Sequence, residues 1–376
     1  MIMRTSLTLL ICGLLGIVLN TSIVLSKNQH VVLSGRYLSV DKEAFIVKGV
    51  CWNPVAAGES FPSGLPWFQR DWNESLSSQE RALIAQDLQL MQQAGINTVR
   101  TYEPIVNLET LELLANYHIF QIVPVYSFYK KNHENIRSVV NQLKDHPTTL
   151  FWELGNEWNY NRLYSEGEER LTLEVVAHRL LEAANIVRQL DPYHPISTSY
   201  GDLPIPSKDA VGHPELLSLG DFKELDKAVD IWGLNVYSRD TFRNDEGVSR
   251  ANIMADLTQK PIYFSEYGAD AFNSHSRSVD EISQSDATRK LTEEITQDLV
   301  WMRKGGNVLG GTIFEFSDEW WKAPGSNDRQ DDGGHAPGNG PYPDGVFNEE
   351  YWGLMTIDRQ AREAYFELAK IYQSLP

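Results

Sequence analysis

Cysteine is almost absent from this sequence, with Cys12 and Cys51 the only two in 376 residues. No disulfide framework can be built from that pair. Cys12 lies in an apolar leader, so Cys51 stands alone, and without a neighbouring histidine it reads as a buried structural thiol. Positive charge is also scarce: 33 Lys and Arg face 51 Asp and Glu, a net charge of −18 that repels nucleic acid and anionic membranes. The acidity fits a protein that stays soluble outside the cell, and no nucleic-acid partner is expected. The nine histidines include no His-Glu-x-x-His cluster, so no metal and no cofactor are expected. A phosphate-cradling loop is missing too. "KGGNVLGG" lies between a helical pattern and the last strand pattern, and it lacks the Lys-Ser ending of a nucleotide loop. No Pro- or Ser-rich linker divides 30–376, which reads as a single domain.

Long apolar runs are confined to the N-terminus. Arg4 precedes "LTLLICGLLGIVL", a run of secretory-signal length, and Ser26 offers a small residue for cleavage. A signal peptide over 1–26 and a secreted or cell-envelope location are expected. The alternative is an uncleaved membrane anchor continuing through "SIVL", although Asn20, Thr21 and Ser22 interrupt it. Asn73-Glu74-Ser75 is a glycosylation sequon that matters only in a host that glycosylates.

What fills the rest of the chain is alternation. Eight short β-branched or aromatic runs fall at 45–52, 96–102, 120–127, 149–157, 195–200, 230–237, 261–268 and 311–318. Amphipathic patterns at 79–94, 107–117, 134–144, 170–190, 285–304 and 359–374 separate them, with weaker ones at 218–227 and 247–258. Eight βα units predict an α/β fold, a (β/α)8 TIM barrel, whose site lies at the C-terminal strand ends. "VVLSGRYLSVDKEAFIV" predicts an N-terminal β-hairpin turning at Asp41-Lys42-Glu43, which would plug or flank the barrel's N-terminal end. Two long connections, 53–78 and 319–358, fall on the active face and predict loops that wall a cleft. The Asp-rich tract in the second could instead hold calcium, but its spacing matches no EF-hand loop.

The carboxylates follow from this frame. Glu157 in "FWELGNEWNY" ends the fourth strand and Glu266 in "YFSEYG" ends the seventh, so both point into one mouth. An isolated glutamate at a strand end is more often a surface or capping residue. Each of these two follows an apolar strand, where an ionised side chain is costly, and each has aromatic neighbours. Paired carboxylates across a sugar-sized cleft are the apparatus of glycoside hydrolysis, one protonated to assist the leaving oxygen and one ionised to attack the anomeric carbon.

These residues resemble the retaining glycosidases of clan A, which include cellulase- and mannanase-like enzymes, β-galactosidase-like barrels and β-1,3-glucanosyltransferases. The resemblance covers nearly all of the chain after the leader. It implies that Glu157 of the Asn156-Glu157 pair is the acid/base and Glu266 the nucleophile. It further implies that Arg100 in "TVRTY" holds the nucleophile ionised, that Tyr237 in "LNVYS" donates to it, and that Asn156 binds the sugar 2-hydroxyl. Where many relatives place a stacking tryptophan, "IFEFSDEWW" offers Phe314, Phe316, Trp320 and Trp321, leaving open which one forms the sugar platform. Asn53, Tyr102 and Trp158 are further candidates at predicted mouth positions, and Glu153 reads as a supporting carboxylate. The expected partner is an oligo- or polysaccharide of β-glucan or β-mannan type, cleaved by a monomer. Transglycosylation would use the same two glutamates. A non-catalytic carbohydrate-binding barrel is the rival from another class, and retention of both glutamates with Arg100 and Tyr237 counts against it.

Overall fold

Buried parallel strands must satisfy their backbones sideways, and a sheet that closes on itself leaves no edge to satisfy. In the computed structural model, which describes residues 31–56, 70, 72, 75–126, 133–165, 170–201, 222–237, 239–322, 330, 335–336 and 343–376, eight strands close in this way. After a short sheet of β1 (Val31–Ser34), β2 (Tyr37–Val40) and β3 (Glu43–Ala44), the barrel runs through β4 (Val47–Cys51), β5 (Thr98–Arg100), β6 (Phe120–Tyr126) and β7 (Thr149–Leu154). It continues through β8 (Ile196–Gly201), β9 (Ile231–Val236) and β10 (Ile262–Tyr267). Two two-residue strands, β11 (Phe272–Asn273) and β12 (Ser278–Val279), pair with each other before β13 (Val308–Ile313) returns to β4. Every residue of β7, β8, β9, β10 and β13 is buried, as expected of strands covered on both faces. The predicted (β/α)8 barrel is the observed one.

The seam explains a shift in the last strand. The sequence predicts it over 311–318, whereas β13 begins at Val308 and ends at Ile313, so half of "KGGNVLGG" lies inside the sheet. Glycine argues against strand by propensity, yet here it is required: a Cβ on Gly310, whose φ is +126°, would meet the Val47 carbonyl oxygen at 2.2 Å.

The helices between the strands start where their caps dictate. In α1 (Ser78–Gln93), Ser77 Oγ accepts from Glu80 N while Glu80 Oε2 accepts from Ser77 N, and Ile84, Leu88 and Met91 face the core. The predicted helix from 170 begins at Leu173 because Thr172 caps it, and that predicted from 285 begins at Glu281 because Asp280 caps it. The latter passes at Glu294 into a π-helical stretch ending at Leu299. The last helix starts at Glu363 rather than 359, since Ala361 is held in a bridge with Met355.

The predicted N-terminal hairpin is two hairpins. A turn at Gly35-Arg36, with Gly35 at φ +59°, precedes the expected one at Asp41-Lys42. The sheet plugs the barrel: Val31, Leu38 and Val40 join Val47, Ile122, Leu150, Phe151, Ile231, Tyr263 and Leu309 in one apolar cluster. Asn73, the leader and most of the Asp-rich tract lie outside the described residues. Among the described residues, no helix is long and apolar enough to cross a membrane.

Candidate active site

At the C-terminal end of the barrel, Arg100 closes β5 with no exposed surface and spends every guanidinium nitrogen. Its Nη1 donates to Glu266 Oε1 at 2.8 Å, its Nη2 to Asn156 Oδ1 at 2.7 Å, and its Nε to Glu153 Oε2 at 2.9 Å. A planar fork with donors on three sides is what joins three strand ends at once. Glu153 also accepts from Ser199 Oγ at 2.5 Å and from the Tyr263 hydroxyl, which makes it the supporting carboxylate expected for it.

Glu266 sits where β10 slips its register against β9 between Tyr263 and Glu266, an irregularity of the sort that re-aims a side chain. Its Oε1 accepts from Arg100 and from the Tyr102 hydroxyl at 2.7 Å, and its Oε2 from the Tyr237 hydroxyl at 2.7 Å. Both phenols are pushed well above the ordinary tyrosine range by burial, reinforced by the Glu266 charge, so both remain donors.

Glu157 meets a different environment. Its backbone is left-handed (φ 46°, ψ 36°), and its N–H donates to Ser199 O at 3.0 Å. That conformation costs a non-glycine residue about 1–2 kcal/mol and turns the strand end into a one-turn helix, Trp158–Asn161. Asn235 Nδ2 donates to Glu157 Oε1 at 3.1 Å and to Asn156 Oδ1 at 3.0 Å. Burial first, and then the Glu266 charge, raise the Glu157 carboxyl to about 7. Gly201 makes room for it: a Cβ there would stand 2.0 Å from the Tyr160 ring and 3.2 Å from Glu157 Oε1.

Sequence-predicted residues thus divide. Glu157, Glu266, Asn156, Arg100, Tyr237 and Tyr102 share one hydrogen-bonded network, in which Tyr102, a candidate at a predicted mouth position, donates to Glu266. Trp158 does not join them. The left-handed turn at Glu157 sends its ring into the main core beside Leu163 and Leu180, 1% exposed. Phe316 lies beyond the end of β13 and is fully buried in that same core. Trp320 packs with Val55, Trp321 and Ile357 in a separate cluster and is 3% exposed, so it offers no open platform face. Asn53 braces loops, donating through Nδ2 to Glu319 Oε1 at 2.8 Å and accepting from Arg70 N at 3.0 Å. Phe314 is the β13-end aromatic that reaches the site, edge-on to the Tyr237 ring at 6.1 Å.

Cys51 is the buried thiol expected, 3.6 Å from Ser265 O and pushed by burial to about 12, which makes it inert. Asn235 was not anticipated, though a signal existed: it lies two residues before Tyr237, on the same face of an otherwise apolar strand. Lys322 and Glu349, neither singled out beforehand, lie in the connection 319–358 predicted to wall the cleft, Lys322 Nζ 4.5 Å from the Phe314 ring centroid and 3.8 Å from Glu349 Oε2. Among the described residues, no group of histidine, cysteine, aspartate and glutamate side chains could hold a metal ion.

The comparisons with known proteins bear on the fold. No family model matches the chain, and no curated protein sequence does. Solved structures do match. A GH2 beta-galacturonidase from Eisenbergiella tayi bound to galacturonate superimposes with a TM-score of 0.56 at 17% identity, over 93% of this chain and 54% of that one. The beta-D-glucuronidase of Dictyoglomus thermophilum gives 0.55 at 18% identity, over 93% and 54%. The Bifidobacterium dentium beta-glucuronidase complexed with coumarin-3-O-glucuronide gives 0.58 at 18%, over 93% and 49%. The chain spans about half the length of these proteins. At such identities the likeness establishes a shared barrel.

Proposed function

We propose that the chain is a retaining β-glycosidase working by double displacement, with Glu266 the nucleophile and Glu157 the acid/base. One observation carries this reading: two carboxylates at one barrel mouth have opposite surroundings. Glu266 receives a guanidinium and two phenols, donors that suit an anion, whereas Glu157 is raised to about 7 by burial and by Glu266 and so holds its proton below neutral pH, where an unperturbed carboxyl is ionised. In the first step Glu266 attacks the anomeric carbon as Glu157 protonates the departing oxygen. In the second, Glu157 takes a proton from water, which displaces Glu266 from the sugar. With Asn156 Oδ1 occupied by Arg100 and Asn235, its Nδ2 is oriented to donate to the sugar 2-hydroxyl, a contact that strengthens as the oxocarbenium ion forms. The substrate we favour is a β-linked glycan of β-glucan or β-mannan type. The named activities of the structural neighbours, all on β-linked sugars, support the bond class.

Chemistry separates the two roles. Glu157→Ala should still form the intermediate from an aryl β-glycoside with a good leaving group, and azide should restore turnover as a β-glycosyl azide. Glu266→Ala should trap nothing and be rescued only to the α-azide. A 2-fluoro glycoside should label Glu266 in the mass spectrum, and a label on Glu157, Glu315 or Glu319 would overturn the assignment. Products longer than the substrate would identify a transglycosylase.

A further inference from the structure

A lysine stands close to this site and is not left for substrate. Lys322 Nζ lies 4.5 Å from the centroid of the Phe314 ring, Phe314 meets Tyr237 edge-on at 6.1 Å, and the Tyr237 hydroxyl donates to Glu266 at 2.7 Å. Two ring contacts therefore separate this ammonium from the carboxylate assigned to attack. A cation so placed is the group a carboxylate-bearing sugar would need. Here it is occupied from two sides: Nζ lies 2.5 Å from Glu319 Oε2 and 3.8 Å from Glu349 Oε2.

The two acids are not equivalent. Glu319 is buried, its side chain 1% exposed, and it is braced by Asn53 Nδ2 at 2.8 Å, so it belongs to the loop's own architecture. Glu349 arrives from a separate segment, is 14% exposed and holds Lys322 at the longer distance. A third carboxylate, Glu315, is also buried and interacts with both Glu319 and Lys322. Burial pushes Glu315 well above the ordinary carboxylate range, so Glu319 and Glu349 are the charges that face the ammonium, and between them they leave it no spare positive charge. Glu349 is close enough to the site that its charge raises the Glu157 carboxyl, while burial above all, with Glu319 and Glu266 adding to it, raises Glu349 itself. A hexuronate carries its carboxylate on the ring carbon next to the ring oxygen, and that group would face this wall once the anomeric carbon is at Glu266. Among the described residues Lys322 is already paired, so that carboxylate would be desolvated beside Glu319 and Glu349 without a free counter-charge from it.

We infer that Glu349 is a specificity-determining residue: by completing the ion-pair lock on Lys322 it makes the site select uncharged β-glycosides against β-hexuronides. This rests on the glycosidase reading above and adds the charge class of the substrate.

The test uses matched 4-nitrophenyl pairs that differ only at C6, glucoside with glucuronide and galactoside with galacturonide, with mannoside added to cover the epimer at C2. The unaltered protein should favour the uncharged member of a pair in kcat/KM by roughly a hundredfold or more. Glu349→Gln, which keeps shape and removes charge, should narrow that ratio by about tenfold through a lower KM for the uronide. A hexuronide turned over as well as its matched hexoside, or a ratio that Glu349→Gln leaves unmoved, overturns the inference while the glycosidase reading stands. Competitive binding of gluconolactone and of the anionic glucarolactone, followed by calorimetry, reads the same preference without turnover. Tighter binding of the neutral lactone supports the inference, and equal or tighter binding of the anionic one sinks it. If no pair is turned over and neither lactone binds, the glycosidase reading falls and takes this inference with it.

Discussion

Glu157 and Glu266 are chemically identical side chains that their neighbours drive toward different jobs, and the consequence is measurable in pH. Burial raises the Glu157 carboxyl to about 7, so the acid form needed to protonate a leaving group is lost as pH rises through about 7. Turnover should therefore fall on an alkaline limb near 7, steep for a substrate whose leaving group needs a proton and flat for an activated aryl glycoside. Removing Asn235 takes away a donor that favours the ionised form, so Asn235→Ala should move that limb to higher pH. A limb that stays in place would exclude Glu157 as the titrating acid. The same shift has a sign in stability. A carboxyl with a raised folded-state pKa contributes stability below its unfolded value near 4.5 and loses it as pH climbs through about 7. Glu157→Gln should accordingly gain on the unaltered protein between pH 4 and 8, by at most about 3 kcal/mol, as read by urea denaturation at the two pH values. At Glu266, Tyr102→Phe deletes one charge-assisted hydrogen bond and should cost roughly 10- to 100-fold in kcat with little change in KM. Equal loss for ground state and transition state would demote Tyr102 to a wall residue.

Among the elements, α1 shows how the barrel's outer layer is tied to the chain's far end. Its Asp87 is fully buried, and accepts from Trp52 Nε1 at 3.0 Å and from Arg359 at 2.9 and 3.1 Å. One carboxylate thus joins β4, α1 and the segment leading to the final helix. Asp87→Ala would leave the Arg359 guanidinium buried without its counter-charge and should cost about 3–5 kcal/mol of stability. Because the hydrogen bonds of Asp87 run to Trp52 and Arg359 and not to the Glu157–Glu266 network, kcat at low temperature should survive, and a large fall in kcat with unchanged stability would refute the division. Element boundaries were the part of the fold that pattern reading placed least well. Apolar spacing located α1 to within a residue because Ser77 and Glu80 mark its start locally. The eighth strand was shifted because the need for Gly310 arises from Val47, a residue 263 positions away that no local window contains.

For the whole molecule, the barrel has a chemical end and a structural end. The plug formed by the N-terminal sheet fills the structural end, where Leu38 is fully buried against the inward side chains of the strands. Leu38→Ala should destabilise by about 2–5 kcal/mol, the range for a large-to-small change in a closed core. It should leave the pH limb of Glu157 where it was, since the site lies at the opposite end. A moved limb would mean that the plug positions the site, and the two ends would then have to be treated as coupled.

The sequence by itself pointed to the architecture and to the two ends of the site: eight apolar runs at βα spacing predict a closed parallel sheet, and Glu157 and Glu266 close two such runs, where strand direction puts them in one mouth. Arg100 and Tyr237 were legible only through the resemblance to clan A glycosidases. Tertiary structure decided whatever depends on where a side chain points after its strand has stopped. Past that point no period of two or 3.6 governs direction. Trp158 and Phe316 turned into the core, Trp320 into a loop cluster, and Tyr102 toward Glu266. Glu349 reached Lys322 from 27 residues along the chain through packing of the long connection, a contact that exists only once the barrel has closed.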